Sequence, residues 1–162
     1  VSTDSQEIAR TCKERGAEVL IRPKKLAGDK VATLPVLQHV FKNIKTDIVV
    51  ILQCTSPVRE KGLIDKCIKK FKKEKADSLA TGFYCFLEEW GKCSKPRQEV
   101  KGFFHDDGNV YIMRADLIKK AKKPNDVWGK KMVKMEISKE QNFEIDDEMD
   151  FWINEQIIRK QN

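Results

Sequence analysis

A dense cluster of carboxylates near the C-terminal end of the sequence is a first candidate for chemistry. Five acidic residues fall within the seven positions from Glu144 to Asp150. If residues 144–146 are extended, Glu144 and Asp146 project to the same side, because the side chains of a strand alternate. Two carboxylates on one side are suitable ligands for Mg²⁺, which assists phosphoryl and nucleotidyl transfer. The sequence therefore predicts a magnesium site at Glu144 and Asp146.

The other members of this cluster have a structural interpretation. A helical pattern follows them, with Ile153, Ile157 and Ile158 on its inner face. Carboxylates at the start of a helix accept hydrogen bonds from free N–H groups and complement the helix dipole. We therefore assign Asp147, Glu148 and Asp150 to the start of the last helix.

A second candidate is the polar stretch from Gln53 to Arg59, which directly follows the apolar run Ile48–Leu52. That run predicts a strand buried on both faces, and ligands of open α/β sheets bind beyond the carboxyl ends of strands. The alternative is an ordinary turn into a helix, with Thr55 or Ser56 as N-cap and Pro57 in the first turn. On this stretch alone the ordinary turn is favoured, and both interpretations stay open.

Three further groups are weak when each is taken alone. Arg22, followed by a loop that contains Gly28 and Asp29, offers a cation suited to a phosphate or a base edge. Arg97 lies in an irregular, charged segment, and Tyr111 lies in a predicted strand, where a core tyrosine is the default.

The elements that must position these residues alternate between strand and helix in the first half of the chain, which predicts βαβ units and a mainly parallel sheet. Residues 106–108, Asp-Asp-Gly, predict a turn before the strand Asn109–Met113. We predict further strands at 18–21, 48–52, 78–86 and 132–137, and helices after residue 5, at 33–43, after residue 62, at 117–122 and at 151–158.

Composition restricts the class of protein. With 162 residues, 40% of them hydrophobic and 35% charged, the chain is expected to form one domain with its own core. No apolar run is long enough to span a bilayer. An odd number of cysteines, five, without metal-binding spacing indicates reduced thiols and a cytoplasmic protein. The net charge of +7 would suit nucleic acid or small anions.

Taken together, the motifs resemble one family. Arg22-Pro with Leu26-Ala-x-Asp29, Gln53-x-Thr-Ser-Pro-x-Arg59, Pro96-Arg-Gln98, Gly108-x-x-Tyr111 and Ile145-Asp-x-x-x-Asp-Phe151 occur in this order, after an opening Val1-Ser-Thr-Asp-Ser5. As an ordered set covering the whole chain they resemble the acylneuraminate cytidylyltransferases, or CMP-sialic acid synthetases, and more distantly the CMP-Kdo synthetases. The resemblance implies a three-layer α/β nucleotidyltransferase (Rossmann-like) fold and a reaction of CTP with a nonulosonic acid that gives the CMP-sugar and pyrophosphate, with Mg²⁺.

The resemblance also implies roles for individual residues. Arg22, Asp29 and Thr33 match the nucleotide side, and Glu144 and Asp146 match the paired metal aspartates. The sugar pocket is matched by Gln53, Arg97, Asp107 and Tyr111. Asp146 and Arg97 are the candidates for direct participation in catalysis. A protruding arm, about residues 87–105, implies a homodimer in which Arg97 closes over the acidic sugar. Neither nucleic acid nor a membrane is expected as a partner.

The sequence departs from the family at several places. Glu144 stands where the family usually has Asp, and Asp107 stands where it often has Asn, so the metal geometry and the identity of the sugar are affected. Cys54 replaces a common proline, and His105 stands where some members carry Arg. The family also begins with a strand and a phosphate-binding loop. We expect one such strand–loop–helix unit, of about 30 residues or somewhat more, to be missing before Val1. We therefore expect the 162-residue chain by itself to be inactive. The rival hypothesis is a non-catalytic binding module for an anionic partner.

Overall fold

The computed structural model describes residues 1–89, 91–92 and 96–161, with the backbone alone at Arg97 and Lys139. Its contacts divide the chain into two compact units, Val1–Val49 with Arg114–Trp128 and Val50–Met113 with Gly129–Asn162. The expectation of one domain stays a prediction, and each unit is described by itself. The strands are β1 Ser2–Thr3, β2 Leu20–Ile21, β3 Ile48–Ile51, β4 Ser78–Cys85, β5 Phe103–Arg114 and β6 Met132–Glu136. The helices are α1 Gln6–Glu14, α2 Thr33–Asn43, α3 Leu63–Glu74, α4 Ala115–Lys120 and α5 Glu148–Gln161.

The first unit contains a short parallel pair, in which β1 runs beside β2 with Ser2 opposite Leu20. Helix α1 begins after Ser5, whose hydroxyl accepts the N–H of Ile8 at 3.3 Å. It ends at Glu14 and is followed by Gly16, which has a φ of 81°, as is common just after a helix. The start of α1 after residue 5 is where the sequence predicts it.

The side chain of Gln38 links helices α2 and α4 of the first unit. The amide nitrogen of Gln38 in α2 donates to the carbonyl oxygens of Ile118, at 3.2 Å, and of Ala121, at 2.9 Å. The carbonyls at the end of a helix lack regular partners. The side chain supplies one to Ala121 and a second one to Ile118, whose carbonyl also accepts the N–H of Ala121 at 3.4 Å. Leu34 and Phe41 of α2 are buried, as the apolar stripe of this helix predicts.

The second unit is built on a mixed sheet with strand order β3-β5-β4-β6. Strand β4 pairs with β6 in parallel and with β5 in the antiparallel direction. Helix α3 packs with its buried residues Leu63, Cys67 and Phe71 inward. Apolar residues of β4 and β5, including Leu79, Val110 and Ile112, are buried as well and complete this core.

Strand β5 is longer than the sequence predicts, because Asp106–Gly108 does not end it. Across the β4–β5 pair, Ala80 is opposite Tyr111 and Gly82 is opposite Asp106, so the residues between them bulge out against Thr81 alone. The Thr81 hydroxyl fills the gap by accepting the N–H of Val110 at 2.8 Å. The predicted turn is therefore wrong, because these residues form a bulge inside a strand rather than a turn between two elements.

This longer strand also shortens the predicted arm. Phe103, Phe104 and His105 pair with Cys85, Tyr84 and Phe83 of β4, so the last three residues of the segment 87–105 belong to the sheet. Part of the remaining arm, residues 90 and 93–95, lies outside the described residues. The protruding arm and its role in dimerisation stay predictions. Among the described helices, none has the length and apolar character needed to cross a bilayer.

Candidate functional site

Three segments of the second unit converge on Gly108 in the bulge of β5. Its φ of 71° is a conformation that other residues rarely adopt. A Cβ atom at this position would lie 2.8 Å from the Ser56 hydroxyl, 3.2 Å from Oε1 of Glu144 and 3.3 Å from Cγ of Gln53. Residues from the loop after β3, from β5 and from the segment before α5 are therefore neighbours. The structure thus brings together Gln53 and Glu144, which are 91 positions apart in the sequence.

The loop from Gln53 to Arg59 is held by hydrogen bonds to β5. The N–H of Gln53 donates to the Gly108 carbonyl at 3.2 Å. The Ser56 hydroxyl donates to the Asp107 carbonyl at 2.8 Å. Helix α3 begins only at Leu63, after Gly62, and has no side-chain N-cap. The interpretation of Thr55 or Ser56 as a helix cap is therefore wrong, and the loop is instead attached to the bulge.

Arg59 donates hydrogen bonds both to the loop and to β5. The sequence alone does not indicate this role. Its Nη2 donates to the Gln53 carbonyl at 2.9 Å, and its Nε donates to the Asn109 carbonyl at 3.1 Å. Burial lowers the pKa of Arg59, and the charge of Asp107 opposes that shift. The available signal was a cation at the end of the polar loop, four residues before a helix, where an exposed arginine is the usual interpretation.

Asp107 is buried, and its carboxylate is directed to the interior of the bulge. One carboxylate oxygen, Oδ1, accepts from the Thr81 hydroxyl at 2.6 Å and from the N–H of Asn109 at 3.0 Å. The side-chain amide of the buried Asn109 donates in turn to the Gln141 carbonyl at 2.8 Å. These bonds give Asp107 a role in shaping the bulge. The prediction that it contacts a sugar stays a prediction.

Tyr111 is half-buried, and its hydroxyl donates to Oδ2 of Asp106. Burial raises the pKa of Tyr111, and the hydrogen bond to Asp106 raises it further, as do the charges of Asp107 and Glu144. The phenol is consequently a neutral hydrogen-bond donor at physiological pH. Asp106, which the sequence analysis placed only in a turn, therefore positions Tyr111.

The acidic segment before α5 is anchored beside the same loop, since the N–H of Ile145 donates to the Thr55 carbonyl at 2.8 Å. Burial raises the pKa of Glu144, followed by the charge of Asp146, while His105 opposes the shift and Asp106 and Asp107 add to it. The pKa of Glu144 is therefore raised first by burial and then by three neighbouring carboxylates. Among the described residues no group of three or more His, Cys, Asp or Glu forms a ready cation site.

The remaining acidic residues form the helix start that the sequence predicts. The carboxylate of Asp147 accepts the N–H of Asp150 at 2.9 Å, and the carboxylate of Asp150 accepts the N–H groups of Asp146 and Asp147 at 3.0 and 3.3 Å. This reciprocal arrangement is a capping box. The structural interpretation of Asp147 and Asp150 is confirmed.

The candidates of the first unit lie after β2 and at the start of α2. The backbone N–H of Arg22 donates to the Thr3 carbonyl at 2.8 Å. Its Nη2 lies 3.7 Å from Oδ1 of Asp4, while its Nε is buried and has no hydrogen-bond partner among the described residues. Asp29 is exposed, and Thr33 is the exposed first residue of α2. The roles of all three on the nucleotide side stay predictions. The side chain of Arg97 lies outside the described part of the chain, so its predicted roles also remain open.

Comparison with known proteins gives one matching family, and the similar curated proteins include the following two. The sequence pattern of the family described as cytidylyltransferase matches residues 1–156. Post-translational flagellin modification protein B of Campylobacter coli is 28% identical over an alignment that covers 100% of this chain and 77% of that protein. An N-acylneuraminate cytidylyltransferase of Escherichia coli is 25% identical, and this chain spans 42% of its length.

Two solved structures share the fold. A CMP:2-keto-3-deoxy-manno-octonic acid synthetase complexed with CTP has a TM-score of 0.75 at 10% identity, covering 100% of this chain and 80% of that chain. A 4-diphosphocytidyl-2C-methyl-D-erythritol synthase from Anaerococcus prevotii has a TM-score of 0.62 at 13% identity, with 98% and 78% covered. The predicted α/β nucleotidyltransferase fold is confirmed, with a sheet that mixes parallel and antiparallel pairs.

Proposed function

The chain belongs to the cytidylyltransferase family, and from this premise we propose that it transfers a cytidylyl group from CTP to an acidic nine-carbon sugar of the nonulosonic acid class. In this reaction the anomeric hydroxyl oxygen of the sugar bonds to the α-phosphorus of CTP. The bond from that phosphorus to the β-phosphate oxygen breaks, pyrophosphate leaves, and the hydroxyl proton is lost.

One observation carries this proposal, namely the convergence of Gln53, Glu144 and the bulge of β5 at Gly108. The resemblance in sequence assigns Gln53 to the sugar and Glu144 to a metal, on evidence independent of their distance in space. A nucleotidyl transfer needs these two functions side by side, because the sugar hydroxyl attacks a phosphate whose charge must be offset. The name of one curated relative, the N-acylneuraminate cytidylyltransferase of Escherichia coli, supports an acylneuraminate-like sugar.

The sugar side offers hydrogen-bonding groups that are already oriented. Tyr111 has a protonated hydroxyl held toward Asp106, and the backbone of Gln53 is held by Arg59. A polyhydroxylated ligand is recognised by polar groups that are fixed before it arrives, because less conformational entropy is then lost on binding. We assign Gln53 and Tyr111 to the sugar, and Asp106 and Arg59 to their positioning.

The acidic pair fits Mg²⁺. Burial raises the pKa of Glu144, and the charge of Asp146 raises it further, as expected for two like charges that repel each other. A divalent cation would relieve that repulsion, and Mg²⁺ usually takes only one or two protein carboxylates, with water and substrate phosphate oxygens as its other ligands. Glu144 and Asp146 would hold the ion, which when bound would offset the charge on the phosphate groups. Asp146 is the residue of the pair that matches the family, and it remains the catalytic candidate together with Arg97.

The test is a substrate panel with the full-length protein. CMP-sugar and pyrophosphate formation would be measured with CTP, UTP, ATP and GTP, each combined with N-acetylneuraminate, with a 3-deoxy-octulosonate and with a neutral hexose. We expect product with CTP and an acidic sugar, and greater efficiency with the nine-carbon acid. Equal rates with all four nucleotides would contradict the cytidylyl assignment, and a preference for the neutral hexose would contradict the sugar assignment.

A further inference from the structure

A cavity in the first unit is lined by none of the residues assigned above to catalysis, metal, nucleotide or sugar, although its lining residue Pro23 directly follows Arg22. It has a volume of about 560 Å³ and is lined by residues of α2, of α4 and of the 3-10 turn Lys24–Leu26. Pockets that hold small organic molecules in proteins commonly measure about 300–1,000 Å³. The cavity is therefore large enough for a ligand of the size of a substituted aromatic ring.

Its lining is strongly basic. Among the described residues, Lys25, Lys42 and Lys119 border it, and no aspartate or glutamate does. Like charges gathered at one concave surface focus a positive potential, which attracts an anion. Lys119 also borders a smaller cavity beside Asp47 and Asp116, and the carboxylate of Asp116 accepts hydrogen bonds from Arg114 at 3.0 and 2.9 Å. The three lysines supply the positive charge that an anionic ligand requires.

The apolar part of the lining is flat and fixed. Phe41 is only 8% exposed, and Nζ of Lys119 lies 5.5 Å from the centroid of its ring. Leu26 and the two prolines, Pro23 and Pro35, supply the other apolar surface. Since Gln38 ties α2 to the end of α4, the two helices that carry this surface are held together.

One polar atom at the cavity has no partner. His39 lines the cavity, and its Nδ1 is buried without a hydrogen bond among the described residues. A buried nitrogen without a partner costs free energy, and native structures usually satisfy it with water or with a ligand. A ligand that carries a hydroxyl or another polar substituent would satisfy it.

We propose that this cavity binds a small aromatic phosphate or carboxylate, with the anion at Lys25, Lys42 and Lys119, the ring against Phe41 and Leu26, and a polar substituent at His39. The binding is separate from the proposed transfer reaction, since none of these residues belongs to the candidate active site. It does not depend on that reaction.

Pyridoxal 5′-phosphate is a suitable probe, because it joins a phosphate and a hydroxyl to a flat ring and carries an aldehyde. The aldehyde carbon forms an imine with a nearby lysine Nζ and releases water, and borohydride then adds hydride to the imine carbon. Labelled peptides of the full-length protein would be identified by mass spectrometry at limiting probe. Two double variants serve as a matched pair: Lys42→Gln with Lys119→Gln in the cavity, and Lys69→Gln with Lys73→Gln on α3, which removes the same charge elsewhere.

We expect labelling to concentrate on the cavity lysines, to fall at least fivefold in the cavity double variant, and to stay unchanged in the α3 double variant. Saturating CTP should leave the labelling in place. Labels spread over the surface lysines, equal labelling of the two double variants, or protection by CTP would each overturn the proposal. The last outcome would assign the cavity to the nucleotide site instead.

Discussion

The candidate residues around Gly108 and those of the first unit are held in different ways. Gln53, Ser56 and Arg59 are attached to β5 by hydrogen bonds of their backbone or side chains. By contrast, the side chain of Arg22 lies 3.7 Å from Asp4 and its backbone N–H donates to the Thr3 carbonyl at 2.8 Å, while Asp29 and Thr33 are exposed. Arg22 follows β2 as Gln53 follows β3, so a position after a strand does not explain the difference.

The difference lies in which interactions fix each group. Around Gly108, buried polar groups are connected through the backbone of Asn109, whose carbonyl accepts from Arg59 and whose N–H donates to Asp107. Substitutions there are expected to alter both stability and activity. An exposed pair such as Arg22 with Asp4 contributes little to stability, typically about 0–1 kcal/mol. Substitutions of the candidates Arg22, Asp29 and Thr33 are therefore expected to affect ligand binding much more than stability.

The largest effect is expected for Asp146→Asn, which keeps the shape and removes a charge. Turnover in the full-length protein should fall by orders of magnitude, since charge stabilisation by a metal contributes several kcal/mol to a transition state. The melting temperature without metal should change little, because only the backbone N–H of Asp146 takes part in the cap of α5. Asp150→Ala is the control, with lower melting temperature and a smaller loss of turnover. Near-normal turnover in Asp146→Asn would show that the metal is bound elsewhere.

Gly108→Ala should lower both stability and activity. The φ of 71° is unfavourable for alanine, and the new Cβ would lie 2.8 Å from the Ser56 hydroxyl. Such backbone strain costs about 1–3 kcal/mol, which urea unfolding would measure. Gly16→Ala is the matched control, because Gly16 has a φ of 81° and no atom within 4 Å of the added Cβ. Equal losses of activity in the two variants would remove Gly108 from the site.

Arg59→Met retains length and loses two hydrogen bonds to backbone carbonyls. Hydrogen bonds from charged groups are each worth about 1.5–3 kcal/mol, so the free energy of unfolding should decrease clearly. The KM for the sugar should rise more than the KM for CTP, because Gln53 loses its support. Arg159→Met is the control, since Arg159 forms an exposed pair with Glu155 in α5. A uniform change in both KM values would indicate a structural role only.

Arg22→Met sharpens the other side of the comparison. We expect the free energy of unfolding to change by less than about 1 kcal/mol, because the pair with Asp4 is weak and partly exposed. If Arg22 contacts the nucleotide, the KM for CTP should rise at least tenfold while the KM for the sugar stays constant. An unchanged KM for CTP would remove Arg22 from the nucleotide side.

The smallest effect is expected from Glu144→Gln in metal-free buffer. Burial and the charge of Asp146 raise the pKa of Glu144 above the ordinary value for a glutamate. A carboxyl whose pKa is raised on folding binds more protons in the native state, so it lowers stability as pH rises through that range. Glu144→Gln should therefore melt slightly higher than the unchanged protein at pH 7, and the gain should vanish below about pH 4. A gain that is independent of pH would rule out charge repulsion as its cause.

The sequence predicts most elements because their signals are local. The apolar run Ile48–Leu52 and the acidic start of α5 each depend on neighbouring residues, and the structure has a strand and a helix start there. The strand Ile48–Ile51 is only partly buried, so the prediction that it is buried on both faces is wrong. The bulge could not be predicted in this way. Whether residues 106–108 turn the chain or bulge within a strand is decided by Thr81, whose hydroxyl replaces a missing sheet partner.

The candidate site shows the same division. The resemblance in sequence selects Gln53, Tyr111 and Glu144, but it does not reveal Arg59 or Asp106, whose roles depend on partners that fold next to them. Asp107 illustrates the reverse case. Its residue type suggests contact with a ligand, while its burial and its bond to Thr81 give it an internal partner.

The reciprocal cap of α5 has a consequence for how this protein can evolve. Asp147 and Asp150 secure the beginning of the helix with their own side chains, and from residue 146 they use only the backbone N–H. Mutations that change the side chain at position 144 or 146 therefore leave the helix start intact. An exchange of aspartate for glutamate at either position therefore needs no compensating change at the beginning of α5.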